Sequence, residues 1–189
     1  MKVVRKIVNK STIAIISLLM ISNTFAAKAT FAGGCFWCIE SVLEKVKGVN
    51  SVVSGYMGGT KEDANYKSVS SGKTSHYEVV QVDYEEDKVS YELLLNAFWD
   101  EIDPTQEDGQ YVDIGQQYKT VIFYHNEKQK ALAEKSKKKL EKSGKYKKPI
   151  VTEIKKAQEF YKAEEYHQDY SKKNPLRYQM YRRGSGRRN

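Results

Sequence analysis

Apolar and polar positions along this chain change their period several times, and each change marks an element. Thr30-Phe31-Ala32 runs as a strand into Gly33 and Gly34, after which Ile39, Val42, Leu43 and Val46 recur at i, i+3, i+4 and i+7. That pattern predicts strand, tight turn and amphipathic helix. Gly48 ends the helix, Val49 to Tyr56 reads as a strand, Met57-Gly58-Gly59 as a turn, and the polar stretch Lys61 to Thr74 as a loop. His76 to Tyr84 alternates as a strand, with Glu78 on the same face as Val80 and Val82. Ser90 is the N-cap residue of a helix that buries Leu94, Leu95, Phe98 and Ile102 and stops at Asp103-Pro104. Thr105 to Gln117, with two glycines, three acids and no period, reads as a long loop of the kind that carries function. Lys119 to His125 follows as a strand, Glu127 to Ser143 as a helix and Ile150 to Ile154 as a strand. Phe160 to Tyr170 fits a short helix or turn with aromatic anchors, and the basic, Gly-Ser-rich tail from Arg182 reads as mobile.

The first 26 residues stand apart. Lys2, Arg5, Lys6 and Lys10 precede an apolar run from Ile13 to Ile21 that is too short to span a bilayer, and Thr24-Phe25-Ala26 fits a small-residue cleavage site. This predicts a secretory signal peptide over residues 1–26 in preference to a membrane anchor, and hence an exported, periplasmic or secreted protein without stable membrane association after cleavage. Removing it lowers Lys+Arg from 32 to 28 against 24 acids, a net charge of +4. The remaining 27–189, about 160 residues, suffice for one domain with its own core. The run Lys137-Lys138-Lys139 reads as a solvated helix face and not as a nucleic-acid site. Fourteen tyrosines exceed what such a core needs, which points to a ring-lined surface or pocket.

Both cysteines lie in Gly33-Gly34-Cys35-Phe36-Trp37-Cys38-Ile39-Glu40. Cys35 falls at the first helical turn, where unpaired N–H groups and the helix dipole favour a thiolate, so a lowered pKa is expected. Cys38 is one turn on, about 5 Å away between Cα atoms, within reach of a disulfide. So small a loop stabilises little, which favours a working redox pair. On the helical wheel Phe36 joins the apolar face, whereas Trp37 points toward the side of Ser41 and Glu44 and is left without a core role. Glu78 in apolar company is either paired with a cation or held protonated as an acid. His167, alone among tyrosines, reads as a hydrogen-bonded structural residue before a catalytic one.

Taken in order, Gly-Cys-Phe-Trp, His-Tyr-Glu-Val-Val, Asp-Pro-Thr, Asp113-x-Gly-x-Gln-Tyr118 and Tyr166-His167-Gln168 resemble the peptide methionine sulfoxide reductases of the A type, from Thr30 to Tyr181. The resemblance implies an α/β (α+β) two-layer sandwich with a mixed, largely antiparallel sheet, a ferredoxin-like core and much coil. It implies thiol-dependent reduction of methionine S-sulfoxide, free or in proteins, for repair of oxidised exported proteins, with a thioredoxin-like reductant and no metal or other cofactor. It makes Cys35 the attacking nucleophile, Glu78 the proton donor, Phe36 and Trp37 the walls for the substrate methyl group, and Tyr66, Asp113 and Tyr118 the partners of the sulfoxide oxygen and active-site water. Many members have glycine at the position of Cys38 and recycling cysteines near the C-terminus; with no cysteine after Cys38, either Cys38 resolves the oxidised Cys35 or an external thiol does. The spacing favours Cys38.

Three other readings compete. His76-x-Glu78 with Cys-x-x-Cys echoes zinc nucleobase deaminases, but the motif order is reversed and the proline is missing. A metal- or redox-responsive binding module has only three histidines with which to complete a site. A thioredoxin-like thiol-disulfide oxidoreductase is the alternative, since Cys-x-x-Cys at a helix start is its mark. It requires neither Glu78 nor an aromatic pocket.

Overall fold

The structure is a computed structural model and describes residues 26–187. The predicted signal peptide lies, but for residue 26, outside the described residues.

β1 (Ala27–Gly33) leads into α1 (Phe36–Leu43), β2 (Val49–Met57), the short α2 (Tyr66–Ser70), β3 (Tyr77–Tyr84) and α3 (Tyr91–Glu101). A two-residue hairpin, β4 (Gly109–Gln110) with β5 (Asp113–Ile114), and a 3₁₀ turn at Gln116–Tyr118 precede β6 (Thr120–Tyr124) and α4 (Glu127–Lys142). β7 (Glu153–Lys156), β8 (Phe160–Lys162), a 3₁₀ turn at Glu165–His167, α5 (Tyr170–Lys173) and α6 (Pro175–Gly184) complete the chain. The sheet runs β7-β6-β1-β3-β2-β8, parallel only between β6 and β7. Its centre, β1-α1-β2-β3-α3-β6 in the spatial order fourth, first, third, second strand, is the ferredoxin-like unit the resemblance implies.

One face of the sheet is covered by α1 and α3. Phe31, Val80, Val82 and Ile122 meet Ile39, Leu43, Leu94, Leu95 and Phe98, with the rings of Phe31 and Phe98 stacked at 5.0 Å. Each such large side chain removed from water contributes on the order of 1.5–3 kcal/mol. Ser90 caps α3 through its hydroxyl as its sequence position predicts. The opposite face holds a smaller cluster of Ala32, Met57, Tyr77, Val79, Val121 and Phe123.

Five stretches depart from the sequence pattern. The 61–74 loop contains α2, whose N-cap Asn65 accepts from Ser68 N–H and supplies the start signal that apolar periodicity lacks. The 105–117 loop folds back as the β4-β5 hairpin, with Tyr111 at φ +57° in its turn. The strand expected from Ile150 begins at Glu153, and Phe160–Lys162 is an edge strand on β2, not a helix. The tail is ordered as α6 and Ser185–Arg187. Arg182 and Arg187 both reach Glu101 at the end of α3, a buried partner some eighty residues away that local composition does not reveal.

Candidate active site

β1 delivers the chain to Gly34, whose φ of +82° turns it into α1 with Cys35 as the N-cap residue. A Cβ at Gly34 would stand 2.5 Å from Arg187 Nη2 and 2.6 Å from Gln110 Cβ, so the position also admits these two side chains. The sequence-predicted place of Cys35 is therefore correct. Its predicted ionisation is not. Burial pushes the Cys35 thiol well up, with the hydrogen bond to Cys38 and the negative charges of Cys38, Glu78 and Asp113 adding to it. One helix terminus does not offset that desolvation. Cys38 moves the other way, lowered chiefly by the hydrogen bond from Cys35 and further by Arg187 and Arg182, against its own burial. Neither cysteine is bridged, and the two share a hydrogen bond.

Cys35, Phe36, Trp37 and Glu78 line a cavity of about 110 Å³, closed on its other side by Tyr66, Asp113, Tyr118 and Tyr181. Seven of the eight residues assigned to the site by sequence thus converge on one cavity. Cys38 does not line it but lies beneath, fully buried among Trp37, Tyr170, Tyr178 and Tyr181. The cavity is far smaller than the 300–1,000 Å³ of sites for drug-sized ligands and takes the end of one side chain. A broader depression of about 740 Å³ on α4 is lined by Ala131, Glu134, Ser143 and four lysines, and contains neither cysteine nor aromatic wall.

Glu78 is buried on β3 and meets no cation in the cavity wall; burial raises it to about 8, the Phe36 N–H that it accepts pulls down, and the charge of Asp113 pushes up again. Of the two alternatives for Glu78, burial without a cation in the cavity wall favours the protonated acid, with the more distant charge of Arg187 working the other way. Tyr66 and Tyr118 are raised by burial and then by the negative groups around them, so their hydroxyls remain donors. Glu164 holds Tyr66 in place by accepting from its backbone N–H at 2.9 Å and from the Tyr56 hydroxyl at 2.8 Å.

Phe36 is buried against Tyr56 and His167. Trp37 stacks on Tyr170 with ring centres 3.6 Å apart and planes within 5°, and its Nε1–H donates to His167 Nδ1 at 3.1 Å. That bond fixes the proton of a neutral His167 on Nε2, and burial lowers its pKa in agreement. His167 is structural, as its surroundings predict. His76 is likewise committed, accepting from Gly59 N–H and bonding the Thr60 carbonyl. Sequence reasoning missed Tyr181, which donates to Asp113 Oδ2 from α6, and missed Arg187. The Tyr178/Tyr181 spacing within a tyrosine-rich chain was the available signal for the first.

The family of peptide methionine sulfoxide reductases matches residues 27–189. The peptide methionine sulfoxide reductase MsrA of Halalkalibacterium halodurans is 54% identical over 160 residues, covering 85% of this chain and 91% of that one. MsrA of Bacillus subtilis is 54% identical over 159 residues, with 84% and 90% covered. Among solved structures, reduced Mxr1 from Saccharomyces cerevisiae superimposes with a TM-score of 0.73 at 32% identity over 81% of this chain and 88% of its own. Methionine sulfoxide reductase A of Corynebacterium diphtheriae gives 0.69 at 28%, over 86% and 81%. The chain belongs to the peptide methionine sulfoxide reductase family.

Proposed function

We propose that this chain reduces the S epimer of methionine sulfoxide through a cysteine sulfenic acid on Cys35, with Glu78 as general acid and Cys38 as the resolving thiol. The observation that carries the reading is one small cavity faced at once by the Cys35 sulfur, a carboxyl kept protonated near neutral pH, and the apolar rings of Phe36 and Trp37.

The chemistry requires this set. A sulfoxide oxygen leaves sulfur only once it is protonated, so a nucleophile and an undissociated acid must face the same atom pair. The substrate methyl group packs on Phe36 and Trp37, and the hydroxyls of Tyr66 and Tyr118 donate to the oxygen. As Cys35 attacks the sulfur, its proton passes to the Cys38 thiolate that accepts its hydrogen bond, and Glu78 protonates the oxygen. The hydroxyl then passes from the substrate sulfur to the Cys35 sulfur as the substrate S–O bond and the transient bond between the two sulfurs break, methionine leaves two electrons richer, and Cys35 is left as a sulfenic acid. Cys38 then condenses with it to a disulfide and water. A dithiol protein of the thioredoxin type restores both thiols. Yeast Mxr1 has been solved in complex with Trx2, which supports a partner of that class. A general thiol-disulfide oxidoreductase leaves Glu78 and the aromatic cavity without a task.

Export for repair of oxidised proteins outside the cytoplasm is supported by the basic, apolar and small-residue succession of residues 1–26. Turnover of separated sulfoxide epimers with dithiothreitol tests the reading. Methionine must form from the S epimer at least a hundredfold faster than from the R epimer, and equal use of both would refute it.

A further inference from the structure

We propose that Arg187 is a positioning residue for the second half of this reaction, its buried guanidinium supplying the positive charge beside which the Cys38 sulfur attacks oxidised Cys35. The inference rests on the function proposed above.

Cys38 is fully buried, and burial alone makes a thiol inert. The charge balance beneath it is uneven. Glu101 is gripped by both arms of Arg182, at 2.7 and 2.8 Å, and touched by Arg187 Nη1 at 3.3 Å. Two buried or half-buried guanidinium groups thus meet at Glu101, and Asp113 and Glu78 are the further carboxyl groups that the charge of Arg187 reaches. Arg182 already has its carboxylate in the bidentate geometry. Arg187 holds Glu101 by a single contact of 3.3 Å. It is pinned by Nη2–H donating to the Gly33 carbonyl at 3.2 Å and by the Tyr111 ring 4.7 Å beneath it, while its Nε bonds no described residue. Gly33 is two residues before Cys35, so the guanidinium sits at the turn from β1 into the helix that carries both cysteines, where its positive charge favours the Cys38 anion.

The groups that face Cys38 are few. Cys35 and Glu78 approach from the cavity and Glu101 from α3; these three work against its anion when charged. Tyr178, Tyr181 and Arg182 come from α6 and the Tyr170 ring from α5. Burial raises Tyr178 and Tyr181, which stay neutral. Asp113 is the other anion within the field of Arg187, and Tyr181 already donates to it.

In the step assigned here the Cys38 thiolate attacks the Cys35 sulfur, the S–S bond forms and the S–OH bond breaks. Cys38 is oxidised as the Cys35 sulfur is reduced; the proton that Cys38 gives up on forming the thiolate returns to the Glu78 carboxylate left by the first step, and Glu78 passes it to the departing hydroxide, which leaves as water. Rapid mixing of the full chain and its Arg187→Gln and Arg187→Lys variants with methionine S-sulfoxide, from pH 5.5 to 9, separates the steps. Methionine release reports the first; dimedone-trapped sulfenic acid and loss of free thiols report the second. Arg187→Gln should release its first methionine, then form the disulfide at least tenfold more slowly at pH 7, with the pH profile of that step displaced upward, and Arg187→Lys should recover part of both. A wild-type rate and profile of disulfide formation in Arg187→Gln overturns the proposal. So does a variant that slows both steps equally with lowered Tm and no displacement, which makes Arg187 a structural plug. Absence of methionine release by the wild type would instead overturn the function on which the inference rests.

Discussion

Glu78 Oε2 accepts the backbone N–H of Phe36 at 3.1 Å, which ties the acid of β3 to the first helical residue after the nucleophile Cys35. The distance between acid and nucleophile is thereby fixed by main chain, and the bond holds a carboxyl that burial keeps protonated to about pH 8. Replacing Glu78 by alanine should slow single-turnover methionine release by roughly 10²- to 10⁴-fold. Glutamine, which keeps the shape and an N–H donor, should lose less. Because only the protonated form serves, the wild-type rate should fall as pH rises past about 8, and this descending limb should vanish in Glu78→Gln. Unchanged release rates in both variants remove Glu78 from the mechanism.

Glu40 makes a prediction about stability alone. It is buried on α1, neither of its carboxyl oxygens has a hydrogen-bond partner of good geometry among the described residues, and burial raises it to about 7, with the Asp169 N–H and the Ser54 hydroxyl pulling weakly the other way. A folded-state pKa above the unfolded value of about 4.5 means that the native chain holds the proton longer. Its stabilising contribution is complete below about pH 4.5 and is lost as pH rises to 7. Glu40→Gln should match the wild type in chemical denaturation at pH 4.5 and exceed it at pH 8. A constant difference across that range contradicts the assignment.

Helical periodicity leaves Trp37 off the core face of α1 and so predicts that Trp37→Ala is neutral for stability. The stack on Tyr170 and the bond to His167 revise this. Trp37→Ala should cost about 3 kcal/mol, the order seen for large aromatic truncations, and should also raise KM by loosening the cavity wall. Thermal unfolding together with KM checks both halves; an unchanged Tm shows that α5 does not depend on the ring.

The central strands and helices were legible because their burial is periodic: β3 alternates and α3 repeats its apolar face with Ser90 as cap. Cys35, Phe36, Glu78, Tyr66, Asp113 and Tyr118 were legible through the resemblance, and the local wheel and alternation independently set Cys35 at a helix start and Glu78 on the core face. The C-terminal segment was not legible. Arg182 and Arg187 fall in a tail that reads as mobile until Glu101 supplies the partner, and Tyr181 joins the site only when α6 packs over Cys38. The lowered thiol pKa expected at a helix N-terminus failed for Cys35 because desolvation depends on what the rest of the chain stacks around it.

The stacking that buries Cys38 also places it next to Cys35 with no competing thiol, since these are the two cysteines of the chain. Cys38→Ser should release one methionine per enzyme and stop as a dimedone-reactive sulfenic acid, losing recycling by a dithiol protein. Intact-mass and peptide mass spectrometry of the wild type after a single turnover with methionine S-sulfoxide then decides the matter. One methionine released, a loss of two hydrogens and a peptide joining Cys35 to Cys38 is the predicted result. A sulfenic acid on Cys35 that persists beside a free Cys38 thiol, with Cys38→Ser recycling at the wild-type rate, would contradict it.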